Sequence, residues 1–398
     1  MRTVYDVGLD GKVVLMRADF DVPVKDGKVE NDKRLREATE TIQYIMDKGA
    51  KKLVLIGHMG RPEGKVVEEL RLDPVRERLE ELTGFEIAKV NDCINVQLPE
   101  AEVVLLENVR FHPEEESNDQ KQREEYAMKI LQAAGAQLFV NNAFAVMHRE
   151  QATIYDIAKI MGEKAVAGLV VQKEIEAMKP VMEKPEQPFY VVLGGAKVKD
   201  KAGVIENLYG RAAKFLIGGK MALAFLKAKG SYAGAAEEDK KAEEFRKDVE
   251  LAKKLLSNDT EHKIMLPVDV LTAAEFSERA KAENTDAGRI KSHYFAPDIG
   301  VRTTKAYTTE LGKAATIVHS GPMGVFEMKN FEAGTRDILR FIAGLKAKAV
   351  VGGGDTTAAI EKFGLAGKYT HESTGGSAML EFFAGKELPG LKVLGYEG

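Results

Sequence analysis

Short apolar segments alternating with longer helical stretches predict an α/β chain: two doubly wound parallel-sheet domains joined by a hinge helix. Three observations support this. The alternation runs along nearly the whole chain. At 398 residues the chain is too long for one compact core. Polar and glycine residues gather just after the apolar runs, where open α/β sheets bind ligands.

The predicted strands are 13–16, 53–56, 103–106 and 137–140 in the first half, and 189–193, 215–217, 264–266, 316–318 and 347–351 in the second. Each is a short apolar run rich in β-branched residues. Helical patterns fill 33–48, 74–82, 116–134, 237–256 and 335–345. A further helix over 171–182 leads into a segment with Pro180, Pro185 and Pro188. A helix ending in a stiff linker suits a hinge; a plain surface connection is the alternative. The charged run 235–254 reads as a solvated helix face.

Composition narrows the function classes. Hydrophobic residues make up 44% and charged residues 30%, as in ordinary globular proteins. The 58 basic and 62 acidic side chains leave a net charge of −4, which argues against a general nucleic-acid binder. Attraction for anions must come from local clusters. The lone cysteine, Cys93, rules out an internal disulfide framework and fits a reducing compartment. The N-terminus lacks a signal-peptide core, and no apolar run nears the roughly 20 residues needed to cross a bilayer. The expectation is a cytoplasmic, soluble protein.

The two halves carry different chemistry after their strands. The N-terminal edge offers Arg34, His58, Arg61, Arg110, His148 and Arg149. Arginine grips phosphate or carboxylate with a fork of donors, and histidine adds another. Together they predict a site for a small, multiply charged anion.

The C-terminal edge is glycine-rich. Val191–Leu193 ends in Gly194-Gly195, followed by Lys197 and Lys201 four residues apart on an expected helix start. Close backbone approach, free N–H donors and two lysines on one face predict a polyphosphate site. Gly218 and Gly219 follow the next strand. Ser320-Gly321-Pro322-Met323-Gly324-Val325-Phe326-Glu327 forms a turn whose Glu327 is placed for ribose hydroxyls. Gly352-Gly353-Gly354-Asp355-Thr356 opens a helix; Asp355 reads either as a Mg²⁺ ligand, directly or through water, or as a helix cap. Ser373-Thr374-Gly375-Gly376-Ser377 opens another helix and offers N–H groups to phosphate. Neither Gly-x-Gly-x-x-Gly nor the P-loop pattern occurs, so a bound nucleotide needs a different cradle.

These motifs have a family likeness. Arg17-Ala18-Asp19-Phe20-Asp21-Val22-Pro23, Gly57-His58-Met59-Gly60-Arg61-Pro62, Leu106-Glu107-Asn108-Val109-Arg110-Phe111 and Asn142-Ala143-Phe144 with His148-Arg149 resemble the N-terminal half of the phosphoglycerate kinases. Gly194-Gly195-Ala196-Lys197-Val198 with Lys201, Gly321 to Glu327, Gly353 to Thr356 and Ser373 to Gly376 resemble their C-terminal half. The resemblance covers nearly the whole chain, in order.

It implies reversible phosphoryl transfer from 1,3-bisphosphoglycerate to ADP, giving 3-phosphoglycerate and ATP with Mg²⁺, as a cytoplasmic monomer. It implies a phosphoglycerate-binding domain over 1–168, a hinge helix and linker over 169–185 and a nucleotide-binding domain over 186–378. A tail, 379–398, would pack on the first domain. On the same likeness Asp19, Asp21, Arg34, His58, Arg61, Arg110, His148 and Arg149 match the glycerate site. Gly195, Lys197, Lys201, Gly218, Gly219, Pro322, Glu327, Gly354, Asp355 and Thr356 match the nucleotide site, with Asp355 on the metal. Arg34, Lys201 and the Gly375-Gly376 helix start would stabilise the moving phosphoryl group, with lobe closure excluding water.

Five positions depart from the family pattern. Asp21 replaces an asparagine, with Arg17 and Arg34 as candidate ion-pair partners. Asn142 replaces an aspartate, removing a charge beside the basic cluster. Lys220 and Ser377 replace glycines, and Ser320 replaces an asparagine. Lys220 is expected either to crowd the adenine cleft or to reach the nucleotide. Two competing readings are a non-catalytic relative acting as a sensor or interaction protein, and a kinase with another carboxylate acceptor. Retention of Lys201, Asp355 and Arg34 favours catalysis.

Overall fold

The structure is a computed structural model that describes residues 1–231, 240–291 and 293–398. Contacts divide it into two compact units, Met1–Ile175 with Glu387–Gly398, and Glu176–Lys386. The helix Leu169–Glu183 contains the boundary and carries Pro180 in its interior rather than after its end.

The first unit is built on six parallel strands: β1 (Val13–Arg17), β2 (Lys52–Ile56), β3 (Ile87–Lys89), β4 (Val103–Leu105), β5 (Leu138–Asn141) and β6 (Ala165–Ala167). Their order across the sheet is β3-β4-β2-β1-β5-β6. Strands β2, β4 and β3 lie on one side of β1, and β5 and β6 on the other, so the switch point lies at β1. Central strands are apolar without alternation because both faces are covered: Val14, Leu15 and Met16 are all buried. Helix Lys33–Asp47 covers one face with Leu35, Ala38, Ile42 and Ile45, at the three- and four-residue spacing of an amphipathic helix. The predicted helix over 116–134 begins later, at Gln120, where the Asp119 side chain caps the Lys121 N–H. Residues Pro113–Glu116 form a separate 3₁₀ turn instead.

The second unit repeats the plan with β7 (Phe189–Leu193), β8 (Lys214–Ile217) and β9 (Ile264–Met265). A separate antiparallel sheet follows: β10 (Asp269–Ala273), β11 (Glu283–Asp286) and β12 (Phe295–Ile299). The main sheet is completed by β13 (Thr316–Ser320), β14 (Lys348–Gly352) and β15 (His371–Ser373), in the order β9-β8-β7-β13-β14-β15. The parallel strands at its centre are again buried on both faces.

The antiparallel sheet is absent from the sequence-based expectation, for physical reasons. β11 reads Glu-Asn-Thr-Asp, with little strand propensity and three mostly exposed side chains. β12 contains Pro297, which normally argues against a strand. The helix expected over 237–256 is seen as Lys240–Asn258; residues 237–239, and the part of the 235–254 charged run before 240, lie outside the described residues.

Candidate functional site

Most residues proposed for anion binding in the first unit follow the carboxyl ends of β1, β2, β4 and β5, and Arg34 stands in the first turn of helix Lys33–Asp47. Most are tied into one network. Arg34 lies with Nε 3.3 Å from Asp19 Oδ2 and Nη1 3.8 Å from Asp21 Oδ2, and Nη1 also donates to the Asp21 carbonyl. Asp21 Oδ1 accepts the Gly60 N–H at 2.9 Å. The Gly60 carbonyl in turn accepts from Arg110 Nη1 at 2.9 Å. Arg110 Nη2 and Arg149 Nη1 share Glu116 Oε1, at 3.1 and 3.6 Å. Arg149 Nε donates to His148 Nε2 at 3.2 Å. Arg61 is exposed on the loop directly after Gly60.

His58 is buried at the centre of this set, with Nε2 3.9 Å from Asp21 Oδ2. Burial, with Arg17, Arg110, Arg34 and Arg149 around it, holds its imidazole well below the usual histidine range. The ring is therefore neutral at pH 7. Arg110 is also pulled down by burial.

The structure shows the contacts of two of the departures. Asp21 faces Arg34, whereas Arg17 is turned to His58 and Thr153. Asn142 Oδ1 accepts from Thr41 Oγ1 and from the Val170 N–H, both at 3.0 Å, and ties helices together. Arg17, Glu115, Glu116 and Thr153 all belong to the network but were not among the site residues read from sequence. Only Arg17 lay in a recognisable motif. The other three have no spacing signal, because their link exists only in the fold.

The second unit's edge is made chiefly of backbone. The Gly194, Gly195, Gly218 and Gly219 N–H groups donate to carbonyls of Ser320, Pro322, Leu193 and Met323, at 2.8 to 2.9 Å. A Cβ on Gly194 would stand 2.1 Å from the Pro322 carbonyl oxygen, and one on Gly321 would stand 2.3 Å from that of Gly194. Gly219, at φ +66°, would meet Gly195 in the same way. Here the glycines let three strand ends touch one another. Gly195 differs: a Cβ there meets nothing within 4 Å.

The paired-lysine reading needs correction. Lys197 is extended and precedes a 3₁₀ turn, Val198–Asp200; the helix begins only after Lys201, at Ala202. The two lysines therefore do not share a helix face. Lys197 is partly exposed, with Nζ 3.3 Å from Glu244 Oε2. Lys201 is buried, and its Nζ donates to Ser320 Oγ at 3.0 Å. Burial lowers its amine to about 8, opposed by Asp200 and Asp355. Neighbouring His319 is fully buried, is lowered to about 4 chiefly by burial, and donates from Nε2 to the Gly321 carbonyl.

The remaining motifs fall at helix starts. Gly354 begins helix Gly354–Lys362, capped by Gly353, so Asp355 is not the cap. Asp355 is exposed, while buried Thr356 accepts the Gly321 N–H at 2.7 Å through Oγ1. Pro322 is buried, Glu327 is exposed, and Lys220 is exposed in the first turn of helix Gly219–Ala228. Gly375 and Gly376 precede helix Ser377–Phe383. Elsewhere in the first unit, Asp92, Cys93 and His112 bring possible metal ligands together. His112 pairs with Asp92 at 2.7 Å and the Cys93 thiol meets Tyr126 Oη at 2.9 Å, so all three groups are already satisfied.

The chain matches the phosphoglycerate kinase family over residues 4–386. It is 43% identical over 404 residues to a phosphoglycerate kinase of Pelotomaculum thermopropionicum, covering 99% of this chain and 98% of that protein. To one of Dictyoglomus turgidum it is 45% identical over 401 residues, covering 98% and 97%. Among solved structures, the phosphoglycerate kinase of Pyrococcus horikoshii superposes with a TM-score of 0.87 at 35% identity, covering 99% and 98%. That of Coxiella burnetii gives 0.82 at 35% identity, with 98% of each chain covered. An arginine-rich edge in one unit and a glycine-built edge in the other thus occur in a chain that belongs, over nearly its full length, to the phosphoglycerate kinase family.

Proposed function

We propose that this chain catalyses reversible phosphoryl transfer from 1,3-bisphosphoglycerate to ADP, giving 3-phosphoglycerate and ATP. The observation that carries this is its near full-length membership of the phosphoglycerate kinase family. No observation favours a non-catalytic binding role.

The site assignment follows the family likeness, and the geometry supports it. Asp19, Asp21, Arg34, His58, Arg61, Arg110, His148 and Arg149 form the glycerate site. Their support is the shared network of buried and half-buried cations at the ends of β1, β2, β4 and β5. A substrate carrying both phosphate and carboxylate needs several such donors. Gly195, Lys197, Lys201, Gly218, Gly219, Pro322, Glu327, Gly354, Asp355 and Thr356 form the nucleotide site. The open space above Gly195, beside the buried Lys201–Ser320 pair, supports it.

Phosphoryl transfer asks for alignment and charge compensation rather than covalent help. The acceptor carboxylate is already ionised, so no general base is required. Arg34, Lys201 and the N–H groups at Gly375 and Gly376 meet charge on the moving group. Donor and acceptor sites lie on different units, so the units must bring their substrates together. The donor set fits Mg²⁺, which takes oxygen ligands, retains waters and needs few protein carboxylates. Asp355 would hold it, and the ion would neutralise phosphate charge. Among the described residues no helix is long and apolar enough to cross a membrane. We read the chain as a cytoplasmic monomer acting on small molecules.

The test is purified protein with 3-phosphoglycerate, Mg²⁺ and ATP, with acyl phosphate followed through a coupled dehydrogenase. Turnover supports the reading. Its absence with every nucleoside triphosphate overturns it.

A further inference from the structure

Four side chains in the first unit form a buried line of hydrogen bonds. Glu115, Thr153 and Arg17 are fully buried, and His58 nearly so. Glu115 Oε1 lies 2.6 Å from Thr153 Oγ1, and its Oε2 accepts the Thr153 N–H at 3.1 Å. Thr153 Oγ1 is 2.9 Å from Arg17 Nε, and Arg17 Nη2 is 2.9 Å from His58 Nδ1. Thr153 sits in a π-helical turn, Ala152–Asp156, a local irregularity common at functional sites.

The direction of each bond follows from donor counting. Arginine has donors only. Arg17 Nε therefore donates to Thr153, whose single hydroxyl hydrogen is left for Glu115. Arg17 Nη2 donates to His58, so Nδ1 must accept and cannot carry a proton. The imidazolium and the Nδ1–H tautomer are both excluded. The one remaining proton sits on Nε2, on the side facing Asp21.

We propose that Glu115, Thr153 and Arg17 are positioning residues that fix His58 as its Nε2–H tautomer, so that the ring donates a hydrogen bond to an anionic oxygen of the bound phosphoglycerate. This rests on reading the His58 edge as the glycerate site. A mobile ring offers a donor only part of the time; a fixed one is ready before substrate arrives. Burial pushes the Glu115 carboxyl up to about 7, and of the acids around Arg17 it acts on the guanidinium most strongly.

The test is long-range proton–nitrogen NMR of the His58 ring in the full chain, assigned by loss of its signals in H58Q. The expected wild-type pattern at pH 7 is a single Nε2–H tautomer whose proton shifts on adding 3-phosphoglycerate. In Thr153→Val the Nδ1–H form should appear. KM for 3-phosphoglycerate should rise about fivefold, the worth of one ordinary hydrogen bond, with kcat and KM for ATP changed less than about twofold. Thr153→Ser should restore both. A purely structural role would lower the melting temperature and leave tautomer and KM unchanged, which overturns the proposal. So does an Nδ1–H or doubly protonated ring in the wild type, a result that needs no variant to fold. An Nε2–H ring whose proton ignores 3-phosphoglycerate overturns the donor role, while the coupled assay separately scores phosphoryl transfer.

Discussion

The two edges are built in opposite ways. The first unit uses long side chains held by one another: Arg34 by Asp19 and Asp21, Arg110 and Arg149 by Glu116, and Arg17 by Thr153. The second uses backbone, with Gly194, Gly218, Gly219 and Gly321 packed so closely that a methyl group would collide. Its main buried cation is Lys201, held by one hydroxyl. A side-chain network can be retuned by substitution at modest cost. A backbone knot tolerates little change, but it offers fewer charges to tune.

That contrast is broken most sharply at Lys201. Lys201→Met should lower kcat about 10²- to 10³-fold, the loss expected when one preorganised donor to a developing charge is removed. Stability should move the other way. Burial lowers this amine to about 8, from the roughly 10.4 of an ordinary lysine, so the unfolded chain binds more protons between these values. Folding stability therefore rises with pH across that window, and the charged form is a burden at pH 7. The methionine variant should melt no lower than the wild type at pH 7. A clear drop in both activity and melting temperature would mean that Lys201 is structural.

Gly194→Ala attacks the knot itself. The new methyl would lie 2.1 Å from the Pro322 carbonyl oxygen, which is backbone and cannot swing aside. A loss of about 2–3 kcal/mol is expected, in the range of strained or overpacked sites, read from denaturant unfolding of the full chain. Unchanged stability would show that the strand ends have room to separate.

A third measurement compares how the edges respond to pH. With Lys201 near 8, kcat/KM for the nucleotide should fall about tenfold per unit once pH rises well past that value. Asp200 and Asp355 face the amine and oppose its deprotonation, and His319 beside it is uncharged. The phosphates of bound nucleotide favour the charged amine, so kcat should hold to higher pH than kcat/KM. A flat kcat/KM from pH 7 to 10 would remove Lys201 from nucleotide binding.

How much of this was legible beforehand depends on the kind of link. Strands such as Phe189–Leu193 are visible because burial on both faces leaves an unbroken apolar run. Strand β11, with no apolar residue, leaves no such mark. His58 and Lys201, soon after strands, and Arg34, in the first turn of helix Lys33–Asp47, stand out by type and place. Glu115 and Thr153 do not, since an ordinary glutamate and threonine 38 positions apart gain meaning only when folded together. The spacing of Lys197 and Lys201 misled in the same way: four residues place two side chains on one face only if the helix has already begun.

The smallest expected effect sharpens the comparison most, because it tests whether the side-chain edge is tunable. Asp21 puts a half-exposed carboxylate oxygen 3.8 Å from Arg34 and 3.9 Å from His58. Its other oxygen accepts the Gly60 N–H, a bond that an asparagine can also accept. Asp21→Asn therefore removes a charge and keeps the acceptor. The lost repulsion toward an anionic substrate is partly offset by lost preorganisation of Arg34. At a half-exposed site the net gain is about 0.5–1 kcal/mol, or a two- to fivefold lower KM for 3-phosphoglycerate, with kcat little changed. Because the term is screened charge, the difference between variant and wild type should shrink between low and high salt. A salt-independent difference would point to altered loop geometry, and a higher KM would mean that Asp21 serves the site by holding Arg34 rather than by opposing the substrate.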